Sequence, residues 1–108
     1  MKKLHYLLEK LEYKCLQGNM DVEISQVIYD SRKVCEACLF ICIKGANFDG
    51  HDYAKQVAQK AGVIVVSREM PELKGMDVTV IQVEDTRYAM AFISAAYFEH
   101  PAEKLKVI

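Results

Sequence analysis

Two short runs, Leu39 to Ile43 (LFICI) and Val63 to Val66 (VIVV), are apolar at every position. A strand with one face in water alternates polar and apolar side chains, so unbroken runs of this length fit strands covered on both faces. Between them the period changes. Ala54, Val57, Ala58 and Ala61 fall on one helical face, with Asp52 available as an N-cap and Gly62 placed to close the helix. A third strand is predicted over Val78, Val80, Ile81 and Val83, after a loop marked by Pro71 and Gly75. Asp85 can cap a last helix whose Ala89, Phe92, Ile93, Ala96 and Tyr97 repeat at helical spacing until Pro101 ends it. Buried strands alternating with helices predict an α/β fold: a small mixed or partly parallel sheet flanked by helices.

Ahead of the first run, Leu4, Leu7, Leu8 and Leu11 stand at i, i+3, i+4 and i+7 and predict an amphipathic helix over about residues 3–13. Gly18 and Asn19 break that pattern, and Val22, Ile24, Val27 and Ile28 predict one or two short strands leading to Tyr29. The chain has 108 residues, enough for one domain that buries roughly 60 to 70% of its unfolded surface. A formal net charge of -1 argues against non-specific nucleic-acid binding, whose electrostatic term needs a basic surface. The apolar run near the N-terminus is interrupted by His5 and Glu9, too polar for a signal peptide, and no stretch reaches membrane-spanning length. Four cysteines without a secretory signal read as reduced thiols in a cytoplasm. Leu105 to Ile108 begin another extended apolar pattern and stop there, as a truncated chain would.

Several residues could carry chemistry. Cys35, Cys38 and Cys42 give C-x2-C-x3-C, but the matching second pair of a structural zinc site is missing, and Cys42 falls inside an apolar run. Asp30, Ser31 and Arg32 follow a predicted strand, where loops of α/β folds meet ligands. Arg32 offers a rigid fork for carboxylate or phosphate, yet Asp30 and Ser31 also close turns, and an Asp30–Arg32 pair is the simpler reading. The loop from Gly45 to Gly50 permits tight turns but lacks the Lys-Ser/Thr ending of a phosphate loop. His51, taken as a solvent-facing residue near a helix start, needs no catalytic role. Asp85 and Arg87 read as a cap and a surface or interdomain ion pair, and Tyr88, Tyr97 and Phe98 as core or helix-face aromatics.

Read in order, YDSRKV, LFICIKGANFDGHDYAKQVAQKAGVIVV and VEDTRYAMAFISAAYFEHPAEKLKVI resemble the N-terminal domain of the Mur ligases, cytoplasmic enzymes that build peptidoglycan precursors. The shared pattern is a D-S-R-x-V turn, an L-F-x-x-x-x-G strand, a D-G-H turn opening a helix and a D-x-R helix, and it covers nearly the whole chain. The ending FEHPAEKLKVI looks most like the MurE type, which adds the third amino acid to UDP-N-acetylmuramoyl-L-alanyl-D-glutamate. The family usually carries a Pro-Gly turn before the strand, where Glu36, Ala37 and Cys38 stand here.

The resemblance implies a UDP-substrate-binding domain over residues 1–104, with 105–108 starting the strand into an absent ATP-binding central domain. Tyr29 and Ser31 align with nucleotide-contacting positions, and Ala46, Asn47 and Phe48 with the loop triplet after Gly45. Tyr29 and Phe48 would offer flat walls to uracil, Ser31 and Asn47 its hydrogen-bond partners, and Arg32 a contact to sugar or diphosphate. No catalytic or metal-binding residue is implied. ATP and magnesium belong to the full-length enzyme, so this chain alone is expected to lack ligase activity. The implied partners are UDP-N-acetylmuramoyl-dipeptide and the enzyme's own central and C-terminal domains, with no nucleic acid and no membrane. The choice of lysine or meso-diaminopimelate as third residue lies in the absent part. The alternatives are the sister ligase that adds D-alanyl-D-alanine, a stand-alone ligand-binding module, and a zinc or redox protein.

Overall fold

The two apolar runs are neighbouring parallel strands, Leu39 opposite Val63 and Phe40 opposite Ile64. A computed structural model describes residues 2–45 and 49–97. Its elements are β1 (Lys2–Lys3), α1 (Leu4–Leu8), β2 (Lys14–Gln17), β3 (Glu23–Ile24), β4 (Gln26–Ile28), β5 (Cys38–Ile41), α2 (Ala54–Val57), β6 (Val63–Val66), β7 (Thr79–Gln82) and α3 (Thr86–Tyr97). Short 3₁₀ turns at Ser31–Lys33, Gly50–Tyr53 and Pro71–Leu73 lie in the connections. The main sheet has five strands in the order β2-β7-β6-β5-β4, and β1 pairs with β3 in a separate two-stranded ribbon. Strands β4 to β7 are parallel, while β2 runs antiparallel to β7.

Side chains alternate across a strand, so each buried strand feeds two cores. Phe40, Ile64, Val66 and Val80 face α2 and its flanks, where Ala54, Val57, Ala58, Ala61 and Leu73 are buried. Leu39, Ile41, Val63, Val65 and Ile81 face the opposite way, onto Leu4, Leu7 and Leu8 of α1 and Ala89 and Ile93 of α3. Both faces are thus covered, which is why polar residues are absent from the middle of β5 and β6. Truncating any of these leucines to alanine would cost about 2–5 kcal/mol in lost burial and cavity formation.

The structure departs from the sequence expectation in four places. First, α1 ends at Leu8, and β2 follows at Lys14–Gln17 where a helix end was expected. This strand is at the sheet edge, exposed or half-buried throughout, so it carries no apolar alternation to reveal it. Gly18 then turns the chain at φ +90, pressed so close to Thr79 that a Cβ would lie 2.4 Å from the Thr79 backbone. Second, the expected helix from Asp52 opens as a 3₁₀ turn, and the capping side chain is Asp49, which accepts from the His51 N–H. Third, Gly62 does not close that helix in a left-handed turn. It extends β6, donating to Cys38 O at 3.0 Å and accepting from Thr79 N at 3.1 Å. Fourth, the left-handed residue in this region is Ala37, at φ 59, in the turn before β5. Ser25 holds that turn, its N–H donating to Ala37 O and its hydroxyl reaching the Glu36 and Ala37 carbonyls. The expected end of the last helix at Pro101, and the strand start at 105–108, lie outside the described residues.

Candidate functional site

Because β4, β5, β6 and β7 are parallel, their carboxyl ends open on one edge of the sheet. In open α/β sheets the loops at this edge form ligand sites. The chain leaves β4 through Tyr29 and Asp30 into the Ser31–Lys33 turn. Asp30 Oδ1 caps that turn by accepting from the Arg32 backbone N–H at 2.9 Å, and the same carboxylate takes Arg32 Nε at 3.1 Å and Nη2 at 3.0 Å. The side-chain pair is a two-pronged fork, and the Arg32 hydrogen bonds hold the Asp30 carboxyl down at about 2. Tying the guanidinium on one side leaves its other N–H groups toward solvent, since the Arg32 side chain is 86% exposed.

The exit of β5 is fastened differently. Gly50 N donates to Ile43 O at 2.8 Å, Lys44 bridges to Asp49, and a Cβ on Gly50 would lie 2.8 Å from Ile43 N, so this crossing tolerates no side chain. His51, contrary to the solvent-facing expectation, is buried at 4% exposure. Its Nε2 is 3.0 Å from the Ser67 backbone nitrogen, an obligate donor, so Nε2 accepts and the ring proton sits on Nδ1. Nδ1 then donates to Asp49 Oδ1 at 2.6 Å. Burial raises the Asp49 carboxyl, but the backbone and ring hydrogen bonds from His51, with the Arg68 charge nearby, outweigh it and leave Asp49 below its ordinary value. His51 therefore acts as a brace between the β5 and β6 exits. With both ring nitrogens engaged, it has no spare group for acid-base work. At the β7 exit, Asp85 caps α3 as expected, accepting from Arg87 N at 2.9 Å and Tyr88 N at 3.3 Å. Arg87 reaches a backbone carbonyl, Lys44 O at 3.1 Å, where an ion pair was expected.

A cleft of about 510 Å³ lies over the β4 and β5 exits. Tyr29, Asp30, Ser31 and Arg32 line it from the first segment, and Phe40, Gly50 and Tyr53 from the second. The structure thus brings Tyr29, Ser31 and Arg32 together, and Gly50 carries the segment after Asn47 to the same place. Ala46, Asn47 and Phe48 lie outside the described residues. Tyr53 was missed. Tyr53 stands four residues before Val57 and eight before Ala61, a helical spacing that groups it with the core stripe, so nothing in the sequence marks its exposure in the 3₁₀ turn.

The cysteines form no comparable site. Burial pushes the Cys38 thiol up to about 11 and the Cys42 thiol up to about 12, so both behave as small core groups and neither is a thiolate at neutral pH. Cys35 N–H points to Cys38 Sγ at 3.4 Å, and Cys35 Sγ donates to Gln26 Oε1 at 3.3 Å. Among the described residues, no three His, Cys, Asp or Glu side chains gather to hold a metal ion. Tyr97, half-buried, donates its hydroxyl to Ser25 O, whereas Tyr88 is exposed and tilts against Phe92.

The model of the family described as "Mur ligase family, catalytic domain" matches residues 23–98. This chain belongs to the Mur ligase family. The match runs from β3 through α3 and includes every described residue of the cleft. Among curated Mur ligases, the UDP-N-acetylmuramoyl-L-alanyl-D-glutamate--2,6-diaminopimelate ligase 1 of Clostridium acetobutylicum is 40% identical over 106 residues, covering 98% of this chain and 22% of that protein. The corresponding ligase of Clostridium botulinum is 41% identical over 107 residues, covering 97% and 22%. The chain therefore spans about a fifth of the length of these relatives. Crystal structures of the Mur ligase MurF from Acinetobacter baumannii share the fold, one with a TM-score of 0.75 at 24% identity over 94% of this chain and 22% of that one. A second has a TM-score of 0.69 at 25% identity over 92% of this chain and 21% of that one. The mixed sheet flanked by helices is thus the Mur ligase arrangement.

Proposed function

We propose that this chain is the N-terminal domain of a cytoplasmic, MurE-type Mur ligase and holds the UDP end of UDP-N-acetylmuramoyl-L-alanyl-D-glutamate during ATP-dependent addition of 2,6-diaminopimelate. The observation that carries this reading is the convergence of Tyr29, Ser31 and Arg32 on one cleft at the carboxyl edge of a Mur ligase sheet. Tyr29, 61% exposed, offers an aromatic face to a base. Ser31 can donate to and accept from the imide edge, and Arg32, aimed by Asp30, meets the sugar or diphosphate. Ala46, Asn47 and Phe48, outside the described residues, belong to the proposed contact set by resemblance alone. The names of the relatives favour 2,6-diaminopimelate over lysine, and likeness of 40% over nearly the whole chain favours this ligase over the D-alanyl-D-alanine-adding sister suggested by the MurF structures.

Gripping a remote part of the substrate supplies binding energy that orients a distant reacting carboxylate, which is how a domain without catalytic groups serves a ligase. The residues present do not suit magnesium-ATP: the sequence has no G-x-x-x-x-G-K-[ST] loop, and the described residues hold no acidic cluster for the metal. In this reading ATP and the metal bind in another domain of the ligase, outside the UDP-binding domain of residues 1–104. No described helix is long and apolar enough to cross a membrane. Titrating UDP and UDP-N-acetylmuramic acid into the ¹⁵N-labelled chain tests the site. Amide shifts should centre on Tyr29 to Arg32 and Gly50; shifts confined to β2, α1 or α3 would refute the assignment.

A further inference from the structure

We infer that Tyr53 is a second aromatic binding residue of this cleft, stacking on the base of the nucleotide. The inference rests on the reading of the cleft as a uridine-nucleotide site and adds a residue from a different segment. Tyr29 and Tyr53 are 24 positions apart in sequence yet line the same cleft, 61% and 41% exposed, with fully buried Phe40 also in its wall. The other exposed tyrosines differ in setting: Tyr88 leans on Phe92, and Tyr13 lies outside this cleft. Among the described residues, neither the Tyr29 nor the Tyr53 hydroxyl has a hydrogen-bond partner. Large phenols with open hydroxyls, converging from two segments over an apolar floor, form the kind of surface that accepts a flat ring edged with polar groups.

The backbone around Tyr53 is fixed on both sides. Two residues earlier, His51 is buried and bound through both ring nitrogens, and one residue later Ala54 is fully buried against the sheet. Tyr53 itself is the N-cap of α2, with φ -101 and ψ -3. With the backbone fixed, only the two side-chain torsions of Tyr53 have to be ordered when a ligand arrives, which limits the entropic cost of an aromatic contact. Ala54, Val57, Ala58 and Ala61 fill the buried side of this segment, and Tyr53, the last residue of the 3₁₀ turn before α2, stays exposed.

The test uses the chain as it stands, following uridine and UDP binding by NMR in the wild type, Tyr53→Ala and Tyr53→Phe. In the wild type, Tyr53 ring resonances should shift upfield on uridine addition, as ring currents of a stacked base require. Tyr53→Ala should weaken uridine and UDP by the same factor, about tenfold or more, and Tyr53→Phe should bind within about threefold of wild type. Amide spectra of the free variants should match the wild type away from residues 49–57. Wild-type binding at Tyr29 to Arg32 with no Tyr53 ring shift, or with undiminished affinity in Tyr53→Ala, overturns the role of Tyr53 alone. A loss for UDP that spares uridine also overturns it, because the residue would then act on phosphate. Absence of any wild-type shift at Tyr29 to Arg32 overturns the nucleotide reading and this inference together.

Discussion

Replacing Ala37 with glycine should stabilise this protein, although glycine in a folded segment usually does the reverse. Ala37 sits at φ 59, in the left-handed region, in the turn that feeds β5. For an L-residue that conformation costs about 1–2 kcal/mol, because Cβ crowds the following carbonyl oxygen. Glycine removes the penalty but gives the unfolded chain more freedom, a loss of about 0.5–1 kcal/mol. The methyl group is only half-buried, so little hydrophobic stabilisation is forfeited. The turn itself is retained, since the three Ser25 hydrogen bonds holding it go to backbone carbonyls that glycine also has. The net gain is about 0.5–1 kcal/mol, or roughly 2–6 °C in Tm for a domain of this size. Urea unfolding followed by circular dichroism should show a higher midpoint at unchanged slope. Ala37→Val is the companion, expected to lose about 1 kcal/mol or more because a β-branched residue fits this region worst. If Ala37→Gly is instead less stable than wild type, the left-handed turn does not exist in solution and the account of the β5 entry is wrong.

Other outcomes follow from the same geometry. His51→Leu should cost about 1–3 kcal/mol by chemical denaturation, since it strands the half-buried Ser67 N–H and removes the Asp49 bond; a loss under about 0.5 kcal/mol would mean the brace is not formed. The Asp30 carboxyl should titrate near about 2 by NMR, against an ordinary 3.8, and rise toward that value in Arg32→Ala. Because the folded value is the lower one, the pair's contribution is present above the ordinary value and disappears as pH falls through about 2; an unshifted Asp30 would remove the argument that it aims Arg32. A thiol reagent at neutral pH should modify exposed Cys15 and part-exposed Cys35 quickly, and Cys38 and Cys42 only on unfolding; fast labelling of all four by mass spectrometry would contradict their burial.

Much of the architecture was written locally. Apolar runs at Leu39 and Val63 announce strands covered on both faces, and the Asp85 cap and the Ala54, Val57, Ala58, Ala61 stripe announce the helices, because burial and capping act on a few residues at a time. The D-S-R turn was legible as well: Asp30 and Arg32 are two residues apart, close enough for their pairing to follow from covalent geometry. Three things were decided only by tertiary structure. Edge strand β2 exists because β7 offers it a hydrogen-bonding partner, which nothing in Lys14 to Gln17 records. His51 became a buried brace because the end of β6 presents Ser67 N–H to it across 16 positions of sequence. The cleft, with Tyr53 in its wall, arises because parallel pairing of β4 with β5 sets their exits side by side, and a register between strands is a property of the pair that neither segment encodes alone.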